Sequence, residues 1–279
     1  MTELPRIPLA GVIGHPIAHS RSPLLHGFWL QRYGIKGHYI PMDIAQSDLP
    51  EVLRLLPKLG FVGCNVTSPH KEAVLALADV VTDRAALIGA ANTLIFRKDG
   101  KIHADNTDGV GFVANLRQNA PGWNPAAGPA VVLGAGGAAR AVVAALIELG
   151  VPEIRIANRT RPRADTLRAD FGARLQVHDW LQAANMLHGA ALVVNTTSLG
   201  MTGKPDFTVS LDHMHPGTVV TDLVYTPLMT QFLTRAQDRG AQVVDGLGML
   251  LHQAAPGFER WFNHRPQVDD ATRAAVLGL

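Results

Sequence analysis

The feature that most constrains this chain is a short apolar run that ends in closely spaced glycines. Residues 130–133 (Ala-Val-Val-Leu) contain no polar side chain, which is typical of a buried strand, and small apolar residues follow at helical spacing. Between the two segments, Gly134, Gly136 and Ala139 match the pattern G-x-G-x-x-G/A. There the first glycine permits a tight turn, the second lets backbone approach a pyrophosphate, and the third small residue lets helix and strand pack closely. The flanking strand and helix favour a dinucleotide site over an ordinary glycine-rich turn.

Strand-like and helix-like segments alternate on both sides of this glycine turn. The predicted strands are 7–14, 38–44, 61–66, 153–157, 174–177, 192–194, 219–221 and 242–244, with a hairpin formed by 92–97 and 101–104. The predicted helices are 22–32, 49–59, one opening at Pro69, 82–87, 106–119, one following the glycine turn and 246–262. This alternation predicts an α/β fold with parallel sheets. The Pro/Gly-rich stretch 121–129 indicates a domain boundary near it.

Composition limits the classes of protein to which the chain can belong. Its 279 residues suffice for two modest domains or one large one, and 47% are hydrophobic against 17% charged, so a substantial core is expected. The net charge of +2, without a dense Lys/Arg run, argues against nucleic-acid binding. No apolar stretch is long enough to span a membrane, and no signal peptide is recognised. We therefore expect a soluble, cytoplasmic protein.

The single cysteine and the histidines offer two other chemistries, which we consider less favoured. Cys64 excludes an intrachain disulfide framework, and its apolar neighbours favour a buried structural thiol over a nucleophile. The pairs His15/His19 and His213/His215 have spacings that a metal site could use, but no cysteine or carboxylate cluster accompanies them. A serine hydrolase would need a G-x-S-x-G turn, which the sequence lacks. We predict no metal site.

The segment about 20 residues after the glycines distinguishes between the two nicotinamide cofactors. NAD-binding units place a carboxylate there for the ribose hydroxyls, whereas arginine accommodates the 2′-phosphate of NADP. This chain has Asn158-Arg159-Thr160-Arg161 with Arg163 close behind, and no carboxylate. A solvated basic turn explains any one arginine, but the cluster together with the missing acid favours NADP.

Two residues in the first half of the chain are suited to acid/base chemistry. Lys71 lies in the first turn of the helix predicted to open at Pro69, where the dipole disfavours a cation and so favours proton transfer. An exposed lysine paired with Glu72 or Glu51 remains an equal alternative. Asp108 opens its own predicted helix, where a carboxylate stays ionised, and helix capping alone would also explain it. Together they form a candidate acid/base pair.

The loop that follows the first predicted strand carries two serines. Ser22 followed by Pro23 predicts an N-cap with proline at the first helical position. Capping leaves Ser20, a second hydroxyl two residues earlier, without an explanation.

Taken in order, these motifs resemble the shikimate dehydrogenase family over essentially the whole chain. The similarity is carried by nine short motifs, which begin at residues 12 (VIGHPI), 19 (HSRSP), 63 (GCNVT, with Pro69 and Lys71), 88 (IGAANT), 105 (DNTDG), 158 (NRT, with Arg163), 195 (NTTSLGM), 222 (DLVYTP) and 246 (GLGML, with Gln253), besides the glycine turn. The His26–Gly27 pair stands where the family commonly has His–Asn, and Thr196 replaces a common alanine. Neither departure falls on a residue assigned to catalysis.

The resemblance implies a role for each matched residue. Lys71 and Asp108 would be the catalytic pair. The substrate would be bound by Ser20 and Ser22 at its carboxylate, and by Asn65, Thr67, Asn92, Tyr225 and Gln253 at ring hydroxyls and carboxylate. NADP would be bound by Asp83, Gly134, Ala135, Gly136, Gly137, Ala138, Asn158, Arg159, Thr160, Arg163, Leu223 and Gly246.

The family fold implies an N-terminal α/β substrate domain and a Rossmann-type doubly wound domain, with the C-terminal helix returning to the first. We accordingly divide the chain into 1–108 for substrate and catalysis, 109–245 for NADP, and 246–279 as a helical segment on the substrate domain. The implied partner is a small molecule in a cleft between domains, with neither nucleic acid nor membrane. A homodimer is the one protein assembly considered.

The implied reaction is reversible reduction of 3-dehydroshikimate to shikimate by NADPH, in aromatic amino-acid biosynthesis. Three alternatives stay open. A quinate/shikimate dehydrogenase that uses NAD belongs to the same superfamily. A methylene-tetrahydrofolate dehydrogenase-like enzyme shares the two-domain plan but lacks the doubled-serine loop. A non-catalytic NADP-binding regulator would have no reason to keep Lys71, Asp108 and the substrate residues together.

Overall fold

A computed structural model describes residues 7–279 of the chain. These residues form two compact units, one containing the chain up to Thr107 together with Leu250–Leu279, and the other containing Asp108–Met249. We call them unit 1 and unit 2. The Pro/Gly-rich stretch 121–129 lies inside unit 2, where it connects a helix to the first strand of the sheet. None of the helices within residues 7–279 is long and apolar enough to cross a membrane.

Unit 1 is built on a six-stranded mixed sheet. Its strands are β1 (Leu9–Gly14), β2 (His38–Asp43), β3 (Gly63–Val66), β4 (Val80–Val81), β5 (Thr93–Phe96) and β6 (Ile102–Asp105), in the order β2-β1-β3-β5-β6-β4. β1 pairs in parallel with β2 and β3, whereas β5 is antiparallel to both β3 and β6. β5 and β6 form the predicted hairpin, which turns at Gly100 with a φ of 82°. The two-residue β4 was not predicted.

The helices in the first part of unit 1 follow the strands as the alternation indicates. They are α1 (Ser22–Arg32), α2 (Leu49–Leu55), which continues as a 3-10 helix over Leu56–Leu59, and α3 (Asp83–Ile88). Gly60 adopts the left-handed conformation after the second of these, so the helical segment ends at residue 59, as predicted. The core between sheet and helices is apolar and includes Ile13, Leu53, Cys64 and Leu94.

Unit 2 is built on a six-stranded sheet in which every pairing is parallel. Its strands are β7 (Ala130–Leu133), β8 (Ile154–Ala157), β9 (Leu175–His178), β10 (Leu192–Asn195), β11 (Val219–Asp222) and β12 (Gln242–Val244). Their order is β12-β11-β10-β7-β8-β9. Numbered from the first strand of the unit, this is the 3-2-1-4-5-6 order of a doubly wound dinucleotide fold, whose direction reverses between β7 and β10. The predicted fold class is confirmed.

Four helices of unit 2 complete the doubly wound architecture. They are α4 (Asp108–Asn119), α5 (Gly137–Glu148), α6 (Arg161–Phe171) and α7 (Gln231–Gln237). The strands are buried on both faces, with one apolar cluster around Val132, Val142 and Ile156 and another around Val131, Val193 and Phe232. Burial on both faces explains why these strands have continuous apolar sequences rather than alternating ones.

Two C-terminal helices complete the fold. α8 (Leu247–Phe262) starts in unit 2, and its residues from Leu250 onward belong to unit 1, followed by α9 (Asp270–Leu277). The Trp261 indole donates a hydrogen bond to the Leu94 carbonyl of β5 at 3.0 Å. Asp269 caps α9 by accepting from the Thr272 N–H, and also pairs with Arg32. The return of the C-terminal helix to the N-terminal domain is confirmed, whereas α9 was missed.

Two local predictions in unit 1 are wrong. Pro69 does not open an α-helix, because the chain forms turns through Glu72 and then a 3-10 helix over Ala73–Leu77. The helix-dipole argument for Lys71 therefore lacks the helix it requires. Ser22 is not an N-cap either: it lies within α1, and its backbone N–H donates to the Ser20 hydroxyl at 3.3 Å.

Candidate active site

The glycine turn of unit 2 lies at the point where the strand order reverses. Gly134 follows β7 directly with a φ of 113°, and a Cβ there would lie 2.5 Å from the Thr196 hydroxyl. A larger residue would therefore be both strained and obstructed. Gly136 and Gly137, at the start of α5, face open space instead. Ligands of doubly wound sheets bind at this reversal, with phosphate groups at the helix N-terminus, so the turn fits a dinucleotide pyrophosphate.

The backbone of the glycine turn is held by its neighbours. The Gly134 N–H donates to the Ala157 carbonyl at the end of β8, and the Thr196 hydroxyl donates to the Leu133 carbonyl at 2.8 Å. Ala139 is fully buried in the core of unit 2, as close packing of helix on strand requires. Of the other predicted residues of the turn, Ala135 is buried and Ala138 half-buried.

The basic segment after β8 divides its arginines between two environments. Arg161 forms an ion pair with Asp179 and lies 3.9 Å from Asp165. Arg159 and Arg163 are exposed, and within residues 7–279 neither forms an ion pair. The Asn158 amide donates to the Thr160 carbonyl at 2.8 Å, which closes the turn. The two arginines in the predicted NADP site are thus the ones whose charge is not already neutralised.

The carboxyl ends of β10 and β11 carry a buried polar network. Asp222 accepts hydrogen bonds from the Asn195 amide, the Val224 N–H and the Thr230 hydroxyl. Burial raises the pKa of Asp222 to about 6, although these hydrogen bonds favour the ionised form. The network fixes the turn that contains Leu223.

Gly246 lies against the same turn. A Cβ there would come within 2.7 Å of the Asp222 and Leu223 carbonyl oxygens, so only glycine fits. Leu223 and Gly246, both predicted to line the cofactor, are thus brought together.

In unit 1, three of the predicted substrate residues, Asn65, Asn92 and Gln253, belong to one hydrogen-bonded network. The Asn65 amide donates to the Asn92 carbonyl at 3.1 Å and to the Thr93 hydroxyl at 3.3 Å. The Asn92 amide in turn donates to the Gln253 side-chain oxygen at 2.9 Å, across 161 residues of sequence. The network therefore extends from β3 to α8, and it brings together three amide side chains that are far apart in the chain.

Backbone groups fix the orientation of all three amides in this network. A backbone carbonyl can only accept, so the nitrogen of Asn65 must face Asn92, and the nitrogen of Gln253 must face the Leu250 carbonyl at 3.0 Å. The Thr107 N–H can only donate, so the oxygen of Asn92 must face it at 2.9 Å. Each side chain therefore presents a defined donor or acceptor to a ligand.

The two serines lie at the start of α1 and in the loop before it. The Ser22 side chain is buried, whereas Ser20 is half-buried and accepts the Ser22 N–H. Burial raises the pKa of the Tyr39 phenol well above its usual value, and Ser22 opposes that rise only in part. Tyr39 was not predicted as a site residue.

Thr67 and Lys71 follow β3 in the turn that replaces the predicted helix. The Thr67 N–H donates to the Ile13 carbonyl, and the Lys71 carbonyl accepts the Ala91 N–H at 2.8 Å. Lys71 is thereby held next to the strand that begins after Asn92. Its side chain is partly exposed.

The remaining predicted residues are placed as follows. Asp83 is exposed at the start of α3 in unit 1. Asp108 is buried at the start of α4, and Tyr225 is half-buried after β11, both in unit 2. The pairing of Asp108 with Lys71 stays a prediction.

The cysteine and the possible metal ligands are placed as follows in the described part of the chain. Cys64 is fully buried, and burial raises the pKa of its thiol. The buried-thiol interpretation of this residue is confirmed. Within residues 7–279, no three His, Cys, Asp or Glu side chains are grouped as a metal site requires.

Sequence reasoning missed three members of the network in unit 1. Thr93 and Thr107 belong to quoted motifs but were given no role, and Tyr39 belongs to no quoted motif. In β2 the Tyr39 side chain is buried while both its neighbours are exposed. Tyr39 is the one Phe, Tyr or Trp residue of β2, and this was the available signal.

Comparisons with known proteins agree with this geometry. Residues 12–94 match the model of the shikimate dehydrogenase substrate binding domain, residues 122–202 that of shikimate/quinate 5-dehydrogenase, and residues 246–277 that of the shikimate 5′-dehydrogenase C-terminal domain. A protein of Cereibacter sphaeroides strain KD131 named shikimate dehydrogenase (NADP(+)) is 75% identical to this chain, over 99% of both chains. A protein of the same name from Paracoccus denitrificans is 72% identical to it, over 97% of this chain and 96% of the relative.

Two solved structures extend the comparison to the fold. Shikimate 5-dehydrogenase from Thermus thermophilus, in complex with NADP(H) and shikimate, has a TM-score of 0.87 and 38% identity over 98% of this chain and all of that one. Quinate dehydrogenase from Corynebacterium glutamicum, in complex with NAD, has a TM-score of 0.90 and 30% identity over 98% of this chain and 99% of that one. The glycine turn, the basic segment and the polar network thus occur in a chain that belongs to the shikimate dehydrogenase family.

Proposed function

We propose that this chain catalyses the reversible, NADP-dependent interconversion of 3-dehydroshikimate and shikimate. The observation that carries the proposal is the network of Asn65, Asn92 and Gln253, whose amides are fixed for a ligand rich in hydroxyl groups. Full-length relatives that are 75% identical bear the name of that activity. The two uncompensated arginines beside the dinucleotide fold support NADP as the cofactor.

The substrate is held by hydroxyl and amide groups with defined roles. Ser20 and Ser22 bind its carboxylate, since their hydroxyls can donate to an anion without introducing a further charge. Asn65, Asn92 and Gln253 bind its ring hydroxyls and carboxylate, to which Thr67 and Tyr225 also contribute. An orientation fixed before binding reduces the entropy lost when the substrate is ordered.

Lys71 and Asp108 carry the proton chemistry in this proposal. Lys71 gives a proton to the carbonyl oxygen during reduction and takes it back in the reverse direction, aided by the Asp108 carboxylate. When bound, NADPH supplies the hydride. The Lys71 carbonyl accepts a hydrogen bond from the Ala91 N–H, so Lys71 is positioned next to the segment that carries Asn92.

Two sets of residues recognise the two phosphate-bearing parts of NADP, the pyrophosphate and the 2′-phosphate. The backbone from Gly134 to Ala138 receives the pyrophosphate, and Arg159 and Arg163, with Asn158 and Thr160, receive the 2′-phosphate. Asp83, Leu223 and Gly246 line the cofactor as well. Two further predictions, a cytoplasmic location and a homodimer, accompany this proposal.

A spectrophotometric assay with shikimate and NADP tests the proposal. We expect turnover with shikimate to exceed turnover with quinate, and NADP to be preferred over NAD. The opposite preferences would indicate the activity named for the C. glutamicum relative. Absence of turnover with either substrate would contradict both assignments.

Substitution of the proposed acid tests the mechanism separately. Lys71→Ala should lower kcat by orders of magnitude while the KM for shikimate stays nearly unchanged. Lys58→Ala provides the control, because that lysine is exposed on a 3-10 helix of the same unit. Near-normal turnover of Lys71→Ala would exclude the assignment.

A further inference from the structure

We propose that Tyr39 is a positioning residue that holds one substrate-binding side chain, Asn65, in the geometry required for binding. The inference rests on the proposed function, because it assumes that Asn65 contacts the substrate. Tyr39 lies on β2 and donates its phenol proton to the Asn65 oxygen at 2.7 Å. That bond holds the oxygen of the Asn65 carboxamide, while the nitrogen is held by its own two donated hydrogen bonds.

The direction of this hydrogen bond follows from the fixed orientation of Asn65. Its nitrogen faces the Asn92 carbonyl, so its oxygen is the atom that faces Tyr39, and a carboxamide oxygen can only accept. The phenol must therefore donate its single proton to Asn65. Tyr39 thus orients the Asn65 side chain by donating to its oxygen.

This arrangement determines what Asn65 can offer to a substrate. An asparagine side chain has two N–H donors and two acceptor positions on its oxygen. Asn92 and Thr93 take both donors, and Tyr39 takes one acceptor position. The remaining acceptor can receive a proton from a substrate hydroxyl but cannot bind another acceptor. Asn65 therefore selects for a hydroxyl group at its contact point.

The ring of Tyr39 is itself held in place. It is 8% exposed, stacks on His26 with centroids 3.8 Å apart, and lies 6.1 Å from the Trp261 ring. Stacked and edge-on aromatic contacts restrict both the position and the tilt of a ring. Removing only the hydroxyl should therefore leave the ring, and with it the core, in place.

Steady-state kinetics with Tyr39→Phe test the inference. We expect the KM for shikimate to rise about tenfold, equivalent to about 1.4 kcal/mol, while the KM for NADP and the thermal midpoint stay close to the wild-type values. Tyr33→Phe is the matched control, because its hydroxyl accepts the Gln267 N–H in the same unit and touches no proposed substrate residue. Tyr39→Met also lacks the hydroxyl but has an adaptable side chain, so it replaces Tyr39→Phe if that variant does not fold.

A double-mutant cycle distinguishes positioning from a general structural effect. Because Tyr39 acts through Asn65, Tyr39→Phe and Asn65→Ala together should raise the KM by less than the product of their separate effects. Fully multiplicative effects, a KM for shikimate within twofold of wild type, or a parallel rise in both KM values would overturn the inference. If the wild-type protein does not turn over shikimate, it is the proposed function that fails, before any variant is compared.

Discussion

The imidazole ring of His26 lies flat against the phenol ring of Tyr39, with centroids 3.8 Å apart and planes 2° from parallel. Trp29, Phe258 and Trp261 surround the same imidazole within 5.7 Å. A charged imidazolium would lose its hydration in this aromatic environment. Burial accordingly lowers the pKa of His26 to about 3, and the neighbouring Asn65 side chain opposes that shift only in part.

Replacement of His26 by Gln should reduce the loss of unit 1 stability in acid. Between pH 6.5 and about 3 the unfolded chain takes up a proton at His26 while the folded chain does not, so stability rises with pH in this window. Acidification from pH 6.5 to about pH 4.5 should lower the free energy of unfolding of the wild type by about 2 kcal/mol. His26→Gln should not show this loss, because it has no imidazole to protonate. Hydrogen exchange of α1 amides measures the difference. Equal pH slopes in both proteins would contradict the prediction.

Replacement of Asp222 by Asn should have the opposite effect on the pH dependence of unit 2. The folded protein keeps a proton on Asp222 up to about pH 6, whereas the unfolded chain releases it near its ordinary pKa of 3.8, so stability falls as pH rises between these values. Across this window the free energy of unfolding of the wild type should fall by up to about 3 kcal/mol relative to that of Asp222→Asn. The amide can accept from Asn195 and Val224 with its oxygen and donate to the Thr230 hydroxyl.

Hydrogen exchange at β11 over about pH 4 to 6.5 checks the Asp222 prediction, and Asp212→Asn is the control. Asp212 is an exposed carboxylate of the same unit whose pKa is lowered by Ser210 and Arg239, so its replacement cannot remove a slope of that sign. If Asp222→Asn and the wild type respond to pH alike, Asp222 is ionised throughout the window.

Much of the doubly wound unit could be predicted because its signals are local. Residues 130–133 and 242–244 form strands with the predicted bounds, and α5 follows the glycine turn. The segment after Pro69 was wrong for an equally local reason: proline after serine is compatible with a turn as well as a helix start, and here the backbone turns before the 3-10 helix begins.

The network in unit 1 could not be predicted by sequence pattern, because tertiary packing decides which of its amides meet. Gln253 lies 161 residues from Asn92, and only the family resemblance placed the two together. Tyr39 could not be assigned because its role depends on the side chains across the sheet: β2 pairs with β1, which pairs with the strand that carries Asn65. α9 was missed although Asp269 caps it, since eight residues give too short a pattern.

Replacement of Gly27 by Ala should stabilise the protein. Gly27 is exposed within α1, and a Cβ there meets no atom within 4 Å. Alanine in a helix interior is favoured over glycine by about 1 kcal/mol, mainly because glycine loses more backbone entropy. Gly257→Ala on α8 is the contrasting variant: its Cβ would lie 2.8 Å from the Trp261 ring, which is fixed by its bond to Leu94. Thermal unfolding should show a higher midpoint for Gly27→Ala and a lower one for Gly257→Ala. A higher midpoint for both variants would mean that helix propensity alone determines the change in stability, and that the contact with Trp261 has no effect.

The arginines after β8 make the most direct prediction about cofactor choice. Arg159 and Arg163 are exposed without an ion pair in the described part of the chain, whereas Arg161 already binds Asp179. Each charge-assisted contact with the 2′-phosphate should contribute about 1.5–3 kcal/mol. Arg159→Ala and Arg163→Ala should therefore each lower kcat/KM for NADP at least tenfold and leave kcat/KM for NAD unchanged, because NAD has no phosphate at that position.

Arg161→Ala separates this specific effect from a loss of general positive charge. It removes the same charge from the same turn, but it breaks an ion pair with Asp179 instead of a cofactor contact. We expect less than a threefold change in the NADP/NAD ratio of kcat/KM for this variant. If Arg161→Ala loses NADP preference as strongly as Arg159→Ala, the cluster acts as a diffuse field and raised salt should abolish all three effects alike. If Arg161→Ala keeps the preference for NADP, that preference is due to Arg159 and Arg163, the two arginines that do not pair with Asp179.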